Sequence, residues 1–96
     1  MKIFLDTADH WEIEDYFSTG LIDGVTTNPT LIKKAGRDPE EVYQKIKDIG
    51  IQDISMEVVG SDLEMYDEGI RLYEKFGKVA TIKVPCTRQG LIVCKR

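Results

Sequence analysis

One histidine, two cysteines and one tryptophan are all that the 96 residues contain of those types. Each shortage closes a class of function. A histidine-rich metal centre would need more than His10, because zinc takes a set of N, S or O ligands. Cys86 and Cys94 form no CxxC pair. They are read as free thiols in a reducing, cytoplasmic setting, not as a disulfide framework. No run approaches the roughly 18 apolar residues of a membrane span. The N-terminal MKIFLDTADHW is interrupted at Asp6, so it is not read as a signal peptide. Excess positive charge is missing as well: 13 Lys and Arg stand against 17 Asp and Glu, a formal net charge of -4. A nucleic-acid surface needs a basic patch or stripe. Lys33-Lys34 and Lys95-Arg96 are too short for one. The phosphate-cradling GxGxxG and GxxxxGK[ST] patterns and the metalloprotease HExxH are absent.

What is present is a repeated alternation of strand-like and helix-like segments. Lys2–Asp6 (KIFLD) is a predicted strand, and Asp9 to about Thr19 a predicted helix stopped by Gly20. Asp23–Asn28 (DGVTTN) is a second strand, and Pro29–Ala35 a short helical turn ending at Gly36. In Asp38–Ile49 the N-cap type falls at Asp38, proline at the first helical position and glutamate at Glu41, with Gly50 after the end. Asp53–Val59 (DISMEVV) is a third strand. Ser61–Phe76 opens with a capping-box pair, Ser61 and Glu64, and places Met65, Gly69, Leu72 and Phe76 at helical spacing. Val79–Val84 (VATIKV) is a fourth strand, and a last helix begins after Thr87. Strands alternating with helices, without hairpin signals, imply an α/β fold whose parallel strands are joined by crossovers. A complete (β/α)8 barrel needs about 250 residues. The expectation is therefore four parallel β/α units, half of such a barrel, as a single domain over residues 1–96.

Side chains alternate along a strand. With Lys83 facing the barrel interior, Thr81 shares its face, and Ile82 and Val84 face the helices. The same rule pairs Asp6 with Phe4, Asn28 with Thr26, and Glu57 with Ser55. Each strand thus carries one functional group near its C-terminal end on one common face: Asp6, Asn28, Glu57 and Lys83. Barrel active sites lie at that end. The set suits Schiff-base chemistry, in which a lysine amine adds to a ketone and the imine becomes an electron sink for C–C cleavage. The amine must be neutral to attack, so an apolar setting has to lower it from about 10.4. Proton shuttling asks for a nearby carboxylate, with Asp6 and Glu57 the candidates. Asn28 offers a substrate hydroxyl both donor and acceptor. Simpler readings stand beside these. A strand lysine is often an edge charge, Asp6 could cap the following helix, and Asn28 before Pro29 suits a turn. Glu57 would need an edge strand to avoid the cost of burying an unpaired carboxylate.

FLDTAD at 4–9, GLIDGVTTNPTLI at 20–32, ISMEVVG at 54–60 and ATIKVPCT at 80–87 resemble the transaldolase family. The likeness is nearest its short TalC-type subfamily, which includes the fructose-6-phosphate aldolases. It implies a class I aldolase barrel in which Lys83 is the Schiff-base lysine and Asp6 the acid/base group. Asn28, with Thr26 beside it, would bind substrate, and Glu57 would orient the catalytic water. Fructose-6-phosphate aldolases carry glutamine at that last position, so Glu57 favours transaldolase over the aldolase alternative. The implied reaction moves a dihydroxyacetone unit between sugar phosphates of the pentose phosphate pathway, as between sedoheptulose 7-phosphate and glyceraldehyde 3-phosphate. No metal or organic cofactor is implied. The family's second half-barrel, with its phosphate-holding residues, has no counterpart in these residues, so the chain reads as truncated relative to the family. That sets the expected partners as sugar phosphates and either another copy or a complementary half-barrel, with no nucleic acid and no membrane. It also leaves open a non-catalytic fragment that binds through exposed strand edges.

Overall fold

Short alternating runs punctuated by caps and glycines should produce a strand before each helix. The computed structural model, which describes residues 1–96, has that order. Strand β1 (Phe4–Asp6) leads to helix α1 (His10–Phe17), and β2 (Gly24–Thr26) to α2 (Pro29–Ala35) and α3 (Pro39–Ile49). Strand β3 (Ile54–Glu57) leads to α4 (Asp62–Phe76); a 3-10 turn over Gly77–Val79 then precedes β4 (Ala80–Lys83) and α5 (Arg88–Lys95). The strands form one four-stranded sheet in the order β1-β2-β3-β4, every neighbouring pair parallel. Asp6 lies opposite Thr26, Thr26 opposite Ser55, and Glu57 opposite Lys83. Consecutive parallel strands with helical crossovers make an α/β unit with the build of half a (β/α)8 barrel. Within it, β1 and β4 each keep one edge without a partner strand.

The strands are shorter than the alternation suggested, because the flanking residues direct their polar groups elsewhere. The Asp23 carboxylate accepts from the Ile3 N–H at 2.7 Å, and Asn28 has left the ladder to cap α2. Helix α1 ends at Phe17, not Thr19. The Ser18 and Thr19 hydroxyls fold back to donate to the Asp15 and Tyr16 carbonyls, a bond pattern that competes with helix continuation. Helix α3 starts where expected, but Asp38 makes no side-chain capping bond. Pro39 at the first helical position pre-sets the helical φ without it. The capping box of α4 forms in full, Ser61 Oγ accepting from Glu64 N at 3.2 Å and Glu64 Oε1 from Ser61 N at 3.4 Å.

The core fills the space between the sheet and its helices. Val25, Ile54, Met56 and Val58 are sealed on the helix side of the strands, against Ile13 of α1, Val42 and Ile46 of α3, and Met65, Leu72 and Phe76 of α4. Tyr43 meets Phe76 edge-on, ring centroids 5.7 Å apart, a favoured aromatic geometry. Two glycines are required by close approach. A Cβ at Gly69 would come within 3.2 Å of Ile82, and one at Gly90 would strike the Pro85 carbonyl. These contacts let α4 lie on β4 and let α5 turn back directly after it. No helix is long and apolar enough to cross a membrane.

Candidate active site

The C-terminal ends of the four strands converge on one rim. Asp6 ends β1, exposed, and its Oδ1 accepts from Thr26 Oγ1 at 2.9 Å. Thr26 ends β2, and Glu57 and Lys83 end β3 and β4 directly opposite one another. Lys83 Nζ reaches back across the sheet to donate to the Thr27 carbonyl at 3.5 Å. An open cleft of about 540 Å³ lies there, lined by Asn28, Pro29, Thr30, Leu31, Glu57 and Lys83. The structure therefore brings Lys83, Glu57 and Asn28 to one cleft. It leaves the Asp6–Thr26 pair beside that cleft, outside its lining.

Several of the simpler readings meet the geometry here. Asp6 does not cap α1; Asp9 does, its Oδ1 accepting from Trp11 N at 3.0 Å. Glu57 is not on an edge strand, since β3 lies between β2 and β4. Its carboxylate avoids full burial instead by sitting at the open rim, half-buried. Lys83 does belong to an edge strand, yet its amine turns inward over the sheet. Asn28 serves two ends at once. Its Oδ1 caps α2 by accepting from Leu31 N at 2.9 Å, while the residue lines the cleft. The cap takes one lone pair of the oxygen and fixes the side chain, leaving both amide N–H groups free of protein partners to offer a ligand.

The four ion pairs lie elsewhere: Arg71 with Glu40 and with Glu68, Lys75 with Glu40, and Arg96 with Asp62. Lys83 and Glu57 thus face the cleft without a salt-bridge partner. A second, larger groove of about 940 Å³ separates the α2–α3 region from α4, and Glu57 borders both spaces. Tyr43 lies on the floor of that groove. Burial pushes its hydroxyl up from the ordinary value of 10.0; the polar side chain of Thr27 pulls the other way, and the Glu57 and Glu68 charges add to the rise. His10 packs against Trp11, ring centroids 4.8 Å apart, and both cysteines are exposed. No group of three or more His, Cys, Asp or Glu side chains is placed to hold a metal ion.

Sequence reasoning passed over Thr27, whose main-chain carbonyl receives the lysine amine, and Tyr43 behind it. A signal existed for the first. Thr27 puts a hydroxyl on the helix-facing side of β2, where its neighbours are Val25, Ile54 and Met56.

Comparison with known proteins matches residues 3–96 to the family described as transaldolase/fructose-6-phosphate aldolase. Relatives include a probable transaldolase of Nitrosopumilus maritimus, 45% identical over 96 residues, which takes in 99% of this chain and 43% of that protein. A probable transaldolase of Caulobacter vibrioides is 50% identical over 95 residues, 98% of this chain and 43% of its own length. Another, of Novosphingobium aromaticivorans, is 48% identical over 95 residues, 99% of this chain and 44% of its own. The chain spans less than half the length of the relatives it matches.

Proposed function

Because the chain belongs to the transaldolase/fructose-6-phosphate aldolase family, we propose that it supplies the Schiff-base half of a transaldolase site, with Lys83 as the attacking amine. The observation that carries this reading is the pairing of Lys83 with Glu57 on adjacent strands, both lining one cleft with Asn28. The lysine amine adds to the C2 ketone of a ketose phosphate, and the carbinolamine loses water to give an imine. The C3–C4 bond then breaks, its electron pair moving into the imine, while the C4 hydroxyl proton passes to Asp6 and an aldose phosphate leaves. The retained dihydroxyacetone unit adds to a second aldehyde by the reverse steps. Glu57 holds the water that forms and later hydrolyses the imine, and the Asn28 amide donates to a substrate hydroxyl. A carboxylate at Glu57 favours transfer over simple aldolase cleavage.

Four further strands are needed to close the barrel. In this reading they come from chain outside these 96 residues, whether a second copy or a complementary half-barrel, and that half grips the phosphate. The free edges of β1 and β4 favour a second reading, a non-catalytic half-barrel that binds a partner strand there. Incubation with fructose 6-phosphate and borohydride separates the two. The Schiff-base reading predicts a covalent mass increase that disappears in Lys83→Ala. A folded protein that gains no mass at high substrate concentration would overturn it.

A further inference from the structure

The β2–β3 ladder ends at an unusual residue. Paired register stops at Thr26 opposite Ser55, and two residues later Asn28 is already the cap of α2. Between them sits Thr27, with none of its surface exposed, on the apolar helix-facing side. A buried hydroxyl is costly there unless it has a partner. The partner is the Ser55 carbonyl, which accepts from Thr27 Oγ1 at 2.8 Å and from Thr27 N at a long 3.3 Å. The hydroxyl thus fastens the strand where the main-chain bond weakens. The carbonyl of the same residue meets Lys83 Nζ at 3.5 Å.

We propose that Thr27 is a positioning residue for Lys83: its side-chain anchor to Ser55 fixes the peptide whose carbonyl holds the lysine amine at the cleft beside Glu57. The role is separate from substrate contact, since Thr27 is wholly buried, and its bearing on catalysis rests on the imine reading of Lys83. The hydroxyl and the methyl of Thr27 do different things. Valine keeps the shape and removes the anchor; serine keeps the anchor and removes the methyl.

The test compares Thr27→Val with Thr27→Ser in two measurements. The first is site-resolved reductive methylation with formaldehyde and cyanoborohydride, which needs no substrate. Thr27→Val should raise the Lys83 labelling rate by about threefold to tenfold, the range set by losing one hydrogen bond, and Thr27→Ser should leave it near wild type. Lys47, whose Nζ donates to the Phe76 carbonyl at 3.1 Å, is the control for loosening of the fold and should not change. The second is borohydride trapping with fructose 6-phosphate. In Thr27→Val the maximal trapping rate should fall by a similar factor, with the half-saturating concentration unchanged and the rate rescued in Thr27→Ser. Unchanged Lys83 labelling in Thr27→Val, a parallel rise at Lys47, or a serine variant as impaired as the valine one would each overturn the proposal. The predicted labelling pattern without any sugar adduct in the wild type would uphold the positioning role and sink the imine reading instead.

Discussion

On the helix side of the sheet, Ile54, Met56 and Val58 are sealed against three helices; on the opposite face of the same strand and its neighbour, Glu57, Thr81 and Lys83 look into open space. The difference teaches how stability and chemistry are divided here. The first face is finished within these residues, its apolar groups mutually packed and every helix N-terminus but that of α3 capped by a side chain. The second carries groups that make few bonds to one another. Thr26 is bonded to Asp6, Thr81 Oγ1 to Asp53 at 2.6 Å, and Lys83 only to a distant carbonyl. Substitutions on the covered face should therefore register in folding, and those on the open face in reactivity.

The largest effect should come from the covered face. Phe76, 1% exposed and touching Tyr43 edge-on, should cost about 3–5 kcal/mol when changed to alanine. Urea titration followed by far-UV circular dichroism would show it as a lower midpoint, and a loss below about 1 kcal/mol would break the division of labour. Asn28 belongs to both faces, so Asn28→Ala should lower stability by about 1 kcal/mol, the worth of an N-cap, and weaken sugar binding as well. Loss of only one of the two would assign Asn28 to a single face.

A smaller effect belongs to the solvent-facing helices. Arg71 and Lys75 hold the Glu40 carboxyl below its ordinary value of 4.5. The sign follows: the ion pairs contribute in full above that value, and the contribution is lost as pH falls through the lower folded value. These side chains are well exposed, so salt should screen most of the contribution. The pH dependence of the melting midpoint should differ between wild type and Glu40→Gln at low ionic strength and converge in high salt. Smallest of all in stability should be Glu57→Gln, within about 0.5 kcal/mol of wild type, although its imine hydrolysis should slow clearly. A strongly destabilised Glu57→Gln would mean that the open face also carries structure.

Much of this division was legible in the sequence. The alternation in DISMEVV separates Met56 from Glu57, and glycines and prolines mark the helix ends well enough to place each strand terminus at the rim. The motif segments carried the family. Less legible was anything decided by main-chain direction. The strands are short because Asp23, before β2, and Asn28, after it, turn their side chains onto nearby N–H groups, a choice that β-alternation does not register. That Asp6 stands apart from the cleft follows from strand order, since β1 is two strands away from β3. The Thr27 carbonyl is a backbone group, and backbone groups leave no letter in a sequence; only the misplaced hydroxyl of the same residue betrays it.

The central claim is that the open face owns the reactive amine. Peptide mapping of the borohydride-trapped adduct of fructose 6-phosphate tests it most directly, because lysines lie on both the cleft and the outer helices. The account predicts modification at Lys83 alone, saturating with sugar concentration. Modification spread over Lys33, Lys34, Lys75 and Lys78 without preference for Lys83 would contradict it.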